Sequence, residues 1–155
     1  MFERKYDMKT EVKVQKLCEG ATLPHYGSAA AAGADLTACT GGESVTIAPG
    51  ETKFIGTGIA LEIPDGYVGL IYARSGIACR RGLAPANKVG VIDSDYRGEV
   101  KVALHNHSSE TGVIEDGERI AQLVIAPYLT AEFTESDGLT DTVRGEGGFG
   151  STGRR

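Results

Sequence analysis

The sequence predicts an all-β domain, folded as a sandwich or a barrel. Apolar residues alternate with other residues in several short runs, which is the two-residue period of a half-buried strand. Turn-forming glycine, proline and aspartate residues separate those runs. A helical period is almost absent, and many short strands joined by turns are typical of sandwiches and barrels.

The clearest strand signal lies near residue 60. Ile59, Leu61 and Ile63 alternate and then meet the turn Pro64-Asp65-Gly66, after which the β-rich segment YVGLIY follows at 67–72. Residues 57–72 are therefore predicted to form a hairpin. Further short strands are predicted at 12–17, 44–47, 100–104 and 120–125.

One short helix and a C-terminal arm complete the prediction. Ser75 can cap a helix over residues 75–81, and Gly82 can end it. After Pro127 the apolar pattern decays into a glycine-rich segment that has too few apolar residues to pack a core. The chain is therefore predicted to be a single domain, with a β-barrel part at 1–133 and a flexible arm at 134–155.

The composition is that of a globular protein and excludes some classes of function. The 155 residues are 41% hydrophobic, and the three cysteines are an odd number without a CxxC pair. A domain of this size needs no metal or disulfide staple, so the cysteines are predicted to be reduced and buried. The net charge of −5 has the wrong sign for a nucleic-acid surface. Neither a membrane span nor a secretory leader is recognised, so the protein is expected in the cytoplasm.

Glycine is the unusual component, with 22 among 155 residues, about twice the usual share of roughly 7%. Its densest cluster is RGEGGFGSTG at 144–153, where successive backbone N–H groups can wrap around an anion. The segment lacks the lysine of a Walker A motif, because Ser151 stands in its place. A flexible linker without function is the alternative interpretation. Phe149 argues against it, since a ring in a solvated linker needs something to stack on.

A second cluster, GVIDSDYRGEV at 90–100, carries two carboxylates. In a hairpin, Asp93 and Asp95 would project from the same side. A carboxylate in a pocket with a phosphorylated ligand can activate water. The alternative for one of the two is a turn residue, with Asp95 paired to Arg97.

Three further signals are weak when taken alone. Arg74 ends a predicted strand, and Ser75 opens the predicted helix, where free N–H groups attract phosphate. The segment AGADLTA at 32–38 holds one acid among small residues. His105 and His107 lack a third metal ligand and are more typical of a surface strand than of a metal site.

Together these segments resemble the five motifs of the trimeric dUTP pyrophosphatases (dUTPases). The resemblance spans nearly the whole chain, and GVIDSDYRG and GGFGSTG are its specific parts. It implies a jelly-roll-like, distorted β-barrel assembled as a homotrimer, with active sites shared between subunits. The matching segments are AGADL at 32–36, RSG at 74–76, GVIDSDYRGEV at 90–100, GERIAQLVI at 117–125 and RGEGGFGSTG at 144–153.

The resemblance also implies an activity, the hydrolysis of dUTP to dUMP and pyrophosphate with Mg²⁺ as cofactor. Such a reaction keeps uracil out of DNA and supplies dUMP for thymidylate synthesis. By resemblance, Asp93 is the general base that activates the attacking water. Tyr96 is expected to pack on the deoxyribose and leave no room for a 2′-hydroxyl. Asp35 resembles a residue that supports metal-bound waters and a nearby arginine.

The remaining substrate contacts implied by the resemblance fall into three sets. The base is expected to be read by Asn87, Gly90, Val91, Ile92 and Asp93, with Lys101 beside the base pocket. The phosphates are expected at Arg74, Ser75, Gly76 and Gln122. The arm residues expected to close over the site are Arg144, Phe149, Gly150, Ser151 and Thr152, with Phe149 stacking on uracil.

Two alternatives to dUTP hydrolysis stay open. A dCTP deaminase shares the fold and the trimer but needs a catalytic glutamate near the base pocket, where this sequence has Asp93. A non-catalytic nucleotide-binding protein on the same fold is the other alternative, and the complete set of Asp93, Tyr96 and the glycine arm argues against it. Two positions depart from the family pattern: Ala34, often an aromatic residue there, and Lys88, often a smaller one.

Overall fold

A computed structural model describes residues 9–148, which contain eleven strands and one short helix. The all-β class and the single short helix are as predicted. In chain order the elements are β1 (Lys13–Lys16), β2 (His25–Tyr26), β3 (Ala34–Thr37), β4 (Val45–Ile47), β5 (Thr52–Glu62), β6 (Tyr67–Ala73), α1 (Ser75–Arg81), β7 (Leu83–Pro85), β8 (Gly90–Ile92), β9 (Glu99–Asn106), β10 (Gly112–Ile114) and β11 (Arg119–Pro127).

The strands pair in antiparallel fashion into three sheets. A four-stranded sheet has the order β1-β5-β9-β7, and a five-stranded sheet has the order β2-β3-β11-β6-β8. The third sheet pairs only β10 with β4. Within residues 9–148 these ladders do not close into one continuous barrel, so the barrel part of the prediction holds only as a distorted, open form.

The hydrophobic core is formed mainly by the two larger sheets, which share one buried cluster. Ile55 and Leu104 of the four-stranded sheet belong to the same buried cluster as Leu36 and Ile120 of the five-stranded sheet. Each is at most 1% exposed. Complete burial of such a side chain contributes about 1.5–3 kcal/mol, so this cluster holds the sheets that carry the candidate site.

The predicted hairpin at 57–72 is wrong. β5 and β6 are present on either side of the turn, but they belong to different sheets. The turn is closed by the Tyr67 N–H, which donates to the Pro64 carbonyl oxygen at 3.1 Å, and Gly66 has a φ of 81°. A tight glycine turn therefore serves here to carry the chain from one sheet to the other.

The other four predicted strands are confirmed as β1, β4, β9 and β11, with bounds shifted at their ends. The sequence reading missed β2, β3, β7, β8 and β10, which have only two to four residues each. A run of that length gives only a weak two-residue period, so such strands are easily missed, although β1 and β4 were predicted with four and three residues.

The helix has the predicted bounds but not the predicted cap. Arg74 occupies the N-cap position, no side chain caps the helix, and Ser75 is its first residue. Gly82 ends the helix as predicted, with a left-handed φ of 67°. Residues 9–148 contain no helix that could span a membrane.

The prediction that all three cysteines are reduced and buried is wrong. The Sγ atoms of Cys18 and Cys39 are joined in a disulfide, and Cys79 is exposed. The two partners are 21 residues apart, and the fold brings them together over Gly58. A Cβ atom on Gly58 would lie 2.9 Å from the Cys39 sulfur, so glycine leaves the room that the pair occupies. The spacing of these cysteines in the sequence does not predict that they pair.

Candidate active site

A cavity of about 350 Å³ opens beside β8 and β9. We call it the β8–β9 cavity. It brings together seven of the residues predicted to contact substrate: Asn87, Gly90, Val91, Ile92, Asp93, Tyr96 and Lys101. The other residues that line it are Phe54, Ile71, Pro85, Glu99, Val100, Val102 and Ala103.

Asp93 reaches this cavity because β8 ends immediately before it. β8 pairs with β6 through Gly69, Leu70 and Ile71, which fixes the point where the chain turns away from the sheet. The Asp93 side chain is exposed, and its backbone carbonyl oxygen accepts a hydrogen bond of 3.2 Å from the Tyr96 N–H. An accessible carboxylate at the end of a rigid strand can accept a proton from a bound water.

Tyr96 is held beside Asp93 by its own hydroxyl. The Tyr96 O–H donates to the Glu99 carbonyl oxygen at 3.0 Å, which folds the ring back over Gly98. A Cβ atom on Gly98 would lie 2.6 Å from Cζ of that ring. Glycine at position 98 is therefore a condition for the observed position of Tyr96.

Asn87 lies in a turn that also depends on close backbone approach. A Cβ atom on Gly90 would lie 3.3 Å from Nδ2 of Asn87 and 3.2 Å from Cβ of Ile71. Lys88 has a positive φ of 65°, which no other non-glycine residue in the described range shows. Because β7 and β8 belong to different sheets, residues 86–89 form a turn between sheets rather than the tip of a paired hairpin.

The two acids of the second sequence cluster do not act as a pair. They lie in the loop between β8 and β9, and those strands belong to different sheets, so the predicted hairpin geometry does not apply. Of the two, only Asp93 lines the cavity. The predicted pair of Asp95 and Arg97 is not formed. Arg97 donates instead to the carbonyl oxygens of Ser94 at 2.6 Å and Tyr96 at 3.1 Å.

Glu99 and Phe54 were missed by the sequence reading. Glu99 accepts a 3.0 Å hydrogen bond from the Gly58 N–H and forms a 3.4 Å ion pair with Lys101. It therefore links β9 to β5 beside the cavity and holds the Lys101 side chain. Phe54 is 74% exposed although it lines the cavity. Both positions depend on the pairing of β5 with β9, which no local pattern reveals.

A second group of predicted residues gathers around Asp35, which is only 5% exposed. Its Oδ1 accepts from Nε of Arg74 at 3.1 Å, and its Oδ2 accepts from Nη1 of Arg119 at 3.1 Å. Gln122, which faces Asp35 across the β3–β11 ladder, donates to Oδ1 at 3.5 Å. We call these four residues the Asp35 cluster. Arg119 was not among the predicted site residues, although it lies in the GERIAQLVI segment.

The start of α1 adjoins the Asp35 cluster through Arg74. A Cβ atom on Gly76 would lie 3.3 Å from Nη1 of Arg74, so the guanidinium lies against the first turn of the helix. Ser75 is exposed there. The structure thus brings Asp35, the predicted phosphate set and Arg119 together, but none of these residues lines the β8–β9 cavity.

The arm is the third location of predicted residues. Arg144 is exposed, and its Nε donates to the Gly147 carbonyl oxygen at 2.7 Å, so it joins neither group within this chain. The remaining predicted arm residues, Phe149, Gly150, Ser151 and Thr152, lie outside the described residues.

The side chains present fit a metal ion only as indirect ligands. Among residues 9–148, no three histidine, cysteine, aspartate or glutamate side chains gather as a metal-binding group. Both oxygens of Asp35 already accept hydrogen bonds from arginines, which leaves lone pairs for water rather than an open chelate. A Mg²⁺ ion carried by phosphate oxygens and water needs no more than this.

Comparisons with known proteins agree on one family. A family model described as dUTPase matches residues 19–153. The deoxyuridine 5'-triphosphate nucleotidohydrolase of Nautilia profundicola is 52% identical over 144 residues, which are 93% of this chain and 99% of that protein. These matches confirm the resemblance carried by the five motifs.

Solved structures agree with the sequence comparisons. A mutant dUTPase of Staphylococcus bacteriophage 80alpha with dUpNHpp superposes with a TM-score of 0.84 at 30% identity, over 94% of this chain and 99% of that one. A mutant dUTPase from phage phi11 of S. aureus, described with a structural Mg(II) ion, has a TM-score of 0.74 at 28% identity, over 83% of this chain and 98% of that one. These likenesses confirm the jelly-roll-like fold class.

Proposed function

The chain belongs to the dUTPase family, and from that premise we propose that it hydrolyses dUTP to dUMP and pyrophosphate. The observation that carries the proposal is the β8–β9 cavity, where a carboxylate, a tyrosine and an asparagine meet in a member of this family. The reaction keeps uracil out of DNA and supplies dUMP for thymidylate synthesis. Because its substrate is a free nucleotide, we propose that it takes place in the cytoplasm.

Asp93 is the general base in this proposal. Its carboxylate accepts a proton from water as the water oxygen bonds to the α-phosphorus, and the bond from that phosphorus to the bridging oxygen of pyrophosphate breaks. The exposed position of Asp93 at the end of β8 supports the role, because the attacking water must reach it. Correct placement and protonation of such a base contributes typically about 10²–10⁴-fold in rate.

Asn87 and the backbone of Gly90, Val91 and Ile92 read the base in this proposal. Where uracil has a hydrogen-bond donor and an acceptor on its pairing edge, cytosine has them reversed. The wrong base therefore leaves a buried group unpaired, at a cost of about 1–3 kcal/mol. Lys101 lies beside the same cavity. Tyr96 packs on the deoxyribose and excludes a 2′-hydroxyl, a role that fits its fixed position over Gly98.

The phosphates bind at Arg74, Ser75, Gly76 and Gln122. A Mg²⁺ ion bound with the triphosphate would supply neutralisation of its negative charge. Asp35 would contact such an ion only through water, since its own oxygens hold the two arginines. The presence of dUpNHpp, an analogue of dUTP, in a related dUTPase supports a triphosphate substrate here.

We propose a homotrimer in which neighbouring subunits complete each site. The cavity for the base and the Asp35 cluster for the phosphates occupy different places in one chain, which fits a substrate held between two copies. The arm, predicted to span 134–155, then closes over the site. In that closure Phe149 stacks on uracil, while Arg144, Ser151 and Thr152 hold the terminal phosphates and Gly150 permits close approach. Closure excludes water from the reaction.

The decisive test replaces Asp93 with asparagine, which keeps the shape and removes the base. Asp93→Asn is expected to bind dUpNHpp as the wild type does while losing about 10²-fold or more of dUTP turnover, measured as pyrophosphate release. Near-normal turnover would remove Asp93 from the base role.

The wild-type protein tests the two alternatives in the same assay. Ammonia release from dCTP without pyrophosphate from dUTP would identify a deaminase. Binding of dUTP without any turnover in the presence of Mg²⁺ would identify a non-catalytic nucleotide-binding protein.

A further inference from the structure

Arg119 has no role in the proposed function so far, yet it makes a defined contact with a buried carboxylate. Asp35 is 5% exposed, and its two oxygens are divided between two guanidinium groups, Arg74 on Oδ1 and Arg119 on Oδ2, each at 3.1 Å. A carboxylate this buried is held in place by such charged partners. Its orientation therefore depends on both arginines.

The contact geometry leaves donors of both arginines free of Asp35. Arg74 uses its Nε toward Asp35, while its Nη1 lies against the start of α1 at Gly76. Arg119 uses one Nη1 donor, and its side chain is 55% exposed. A guanidinium carries five N–H donors, so the cluster can bind an anion without breaking its internal contacts.

The charge of the cluster also depends on Arg119. Asp35 with Arg74 alone would be a neutral pair, whereas the second arginine gives the three groups a formal charge of +1. A positive charge at the edge of a partly buried site attracts a triphosphate more strongly than a neutral pair does.

We propose that Arg119 is a positioning residue for substrate phosphate. It fixes the Asp35 carboxylate from the side opposite Arg74, so that Arg74 is aimed at the phosphates and keeps its positive charge available to them. This inference rests on the proposed function, because it names a further residue of the same phosphate site. A Gln122 contact of 3.5 Å to the same carboxylate is too long to replace that of Arg119.

The test compares Arg119→Gln, Arg119→Lys and the wild type. Arg119→Gln is expected to raise the KM for dUTP and the Kd for dUpNHpp by about tenfold, which corresponds to about 1.4 kcal/mol, with a smaller change in kcat. Arg119→Lys keeps the charge and one donor to Asp35, so it is expected to restore both constants to within about threefold of the wild type. Lys53→Gln removes the positive charge of a residue on β5 that pairs with Glu51 at 3.6 Å, and it is the matched control.

Thermal melting separates a positioning role from a structural one. Arg119→Gln leaves the buried Asp35 carboxylate with one arginine instead of two, so it is expected to melt somewhat below the wild type, whereas Arg119→Lys and Lys53→Gln are expected to melt with the wild type. The inference is overturned if Arg119→Gln keeps wild-type KM and Kd, or if it lowers only kcat and melting temperature without rescue by lysine. A wild-type protein that binds dUpNHpp but does not hydrolyse dUTP would contradict the proposed function instead, while the Kd comparison would still decide the role of Arg119.

Discussion

Gly98 determines where the Tyr96 ring lies in the β8–β9 cavity. The Tyr96 hydroxyl reaches the Glu99 carbonyl oxygen only by passing over position 98, where even a Cβ atom would come within 2.6 Å of ring carbon Cζ. Real Cβ atoms do not tolerate contacts this close, so a side chain at 98 must displace the ring. The glycine therefore sets the position of Tyr96, the residue proposed to pack on the sugar, and does not act on the turn alone.

Gly98→Ala is expected to lower kcat/KM for dUTP by about tenfold, because the sugar loses its packing surface. The ratio of UTP to dUTP hydrolysis is expected to rise, since the displaced ring no longer excludes a 2′-hydroxyl. Steady-state kinetics with both nucleotides measure this. Gly27→Ala is the matched control, because a Cβ atom there meets nothing within 4 Å. Unchanged discrimination in Gly98→Ala would show that Tyr96 does not select the sugar.

Most residues of the candidate site were predictable because the chain resembles the motifs of a known family, and one of these motifs supplies most of the predicted cavity residues. Asn87, Asp93 and Tyr96 stand in or beside one contiguous motif, and they line one cavity. Arg119 lies in the GERIAQLVI segment, but its contact with Asp35, like the place of Phe54 beside the cavity, depends on strand pairings between distant segments that no local pattern reveals. Which distant residues become neighbours in a β fold depends on which strands pair, and the local sequence does not specify the partner of each strand.

At the scale of elements, the turn between β10 and β11 holds the loop that follows β3. Asp116 in that turn accepts hydrogen bonds from the Thr40 N–H at 2.7 Å, the Thr40 hydroxyl at 3.2 Å and the Gly42 N–H at 3.1 Å. These bonds, first among them that of the Thr40 backbone, lower the pKa of Asp116 below its usual value of 3.8. The ionised carboxylate therefore holds the loop that follows β3, the strand that carries Asp35 of the proposed phosphate site.

The contribution of Asp116 to the stability of the fold is expected to decrease as the pH falls. A group whose pKa is lower in the folded state stabilises the fold above its unfolded pKa, and that contribution disappears as the pH falls through the folded pKa. The urea midpoint of Asp116→Asn is therefore expected to lie below that of the wild type at pH 7 and to approach it below about pH 4. Asp137→Asn, in the exposed arm, is the control and is expected to follow the wild type. A constant difference between pH 7 and pH 3 would contradict this assignment.

The positions of the strands along the sequence were easier to predict than the way in which the strands pair. Alternation located β5, but residues 57–61 of that strand are all buried, which shows that neighbouring elements cover more than one of its faces. The same alternation suggested a hairpin with β6, whereas β6 pairs with β8 and β11. A two-residue period reports that one side of a strand is buried, and it carries no information about which strand lies beside it.

At the scale of the whole molecule, the described part of the arm has no core of its own. Residues 128–148 contain no strand or helix. Leu129, Phe133, Leu139 and Val143 are each at least 93% exposed within this chain. Large apolar side chains spaced along one exposed segment are typical of a surface that another molecule covers. The proposed trimer supplies such a cover, with the arm of one copy lying across another.

Removal of the arm beyond Asp141 tests this arrangement. The truncated protein is expected to stay folded, with the assembly state and melting temperature of the full chain, because the core lies in the strands that end at Pro127. Its dUTP turnover is expected to fall by about 10²-fold or more, since the proposed closure over the phosphates is lost. Light scattering measures the assembly, and pyrophosphate release measures the turnover. Truncation after Gly153 removes only two arginines and is the control. A protein cut at Asp141 that unfolds would make the arm structural, whereas one that stays fully active would remove it from the site.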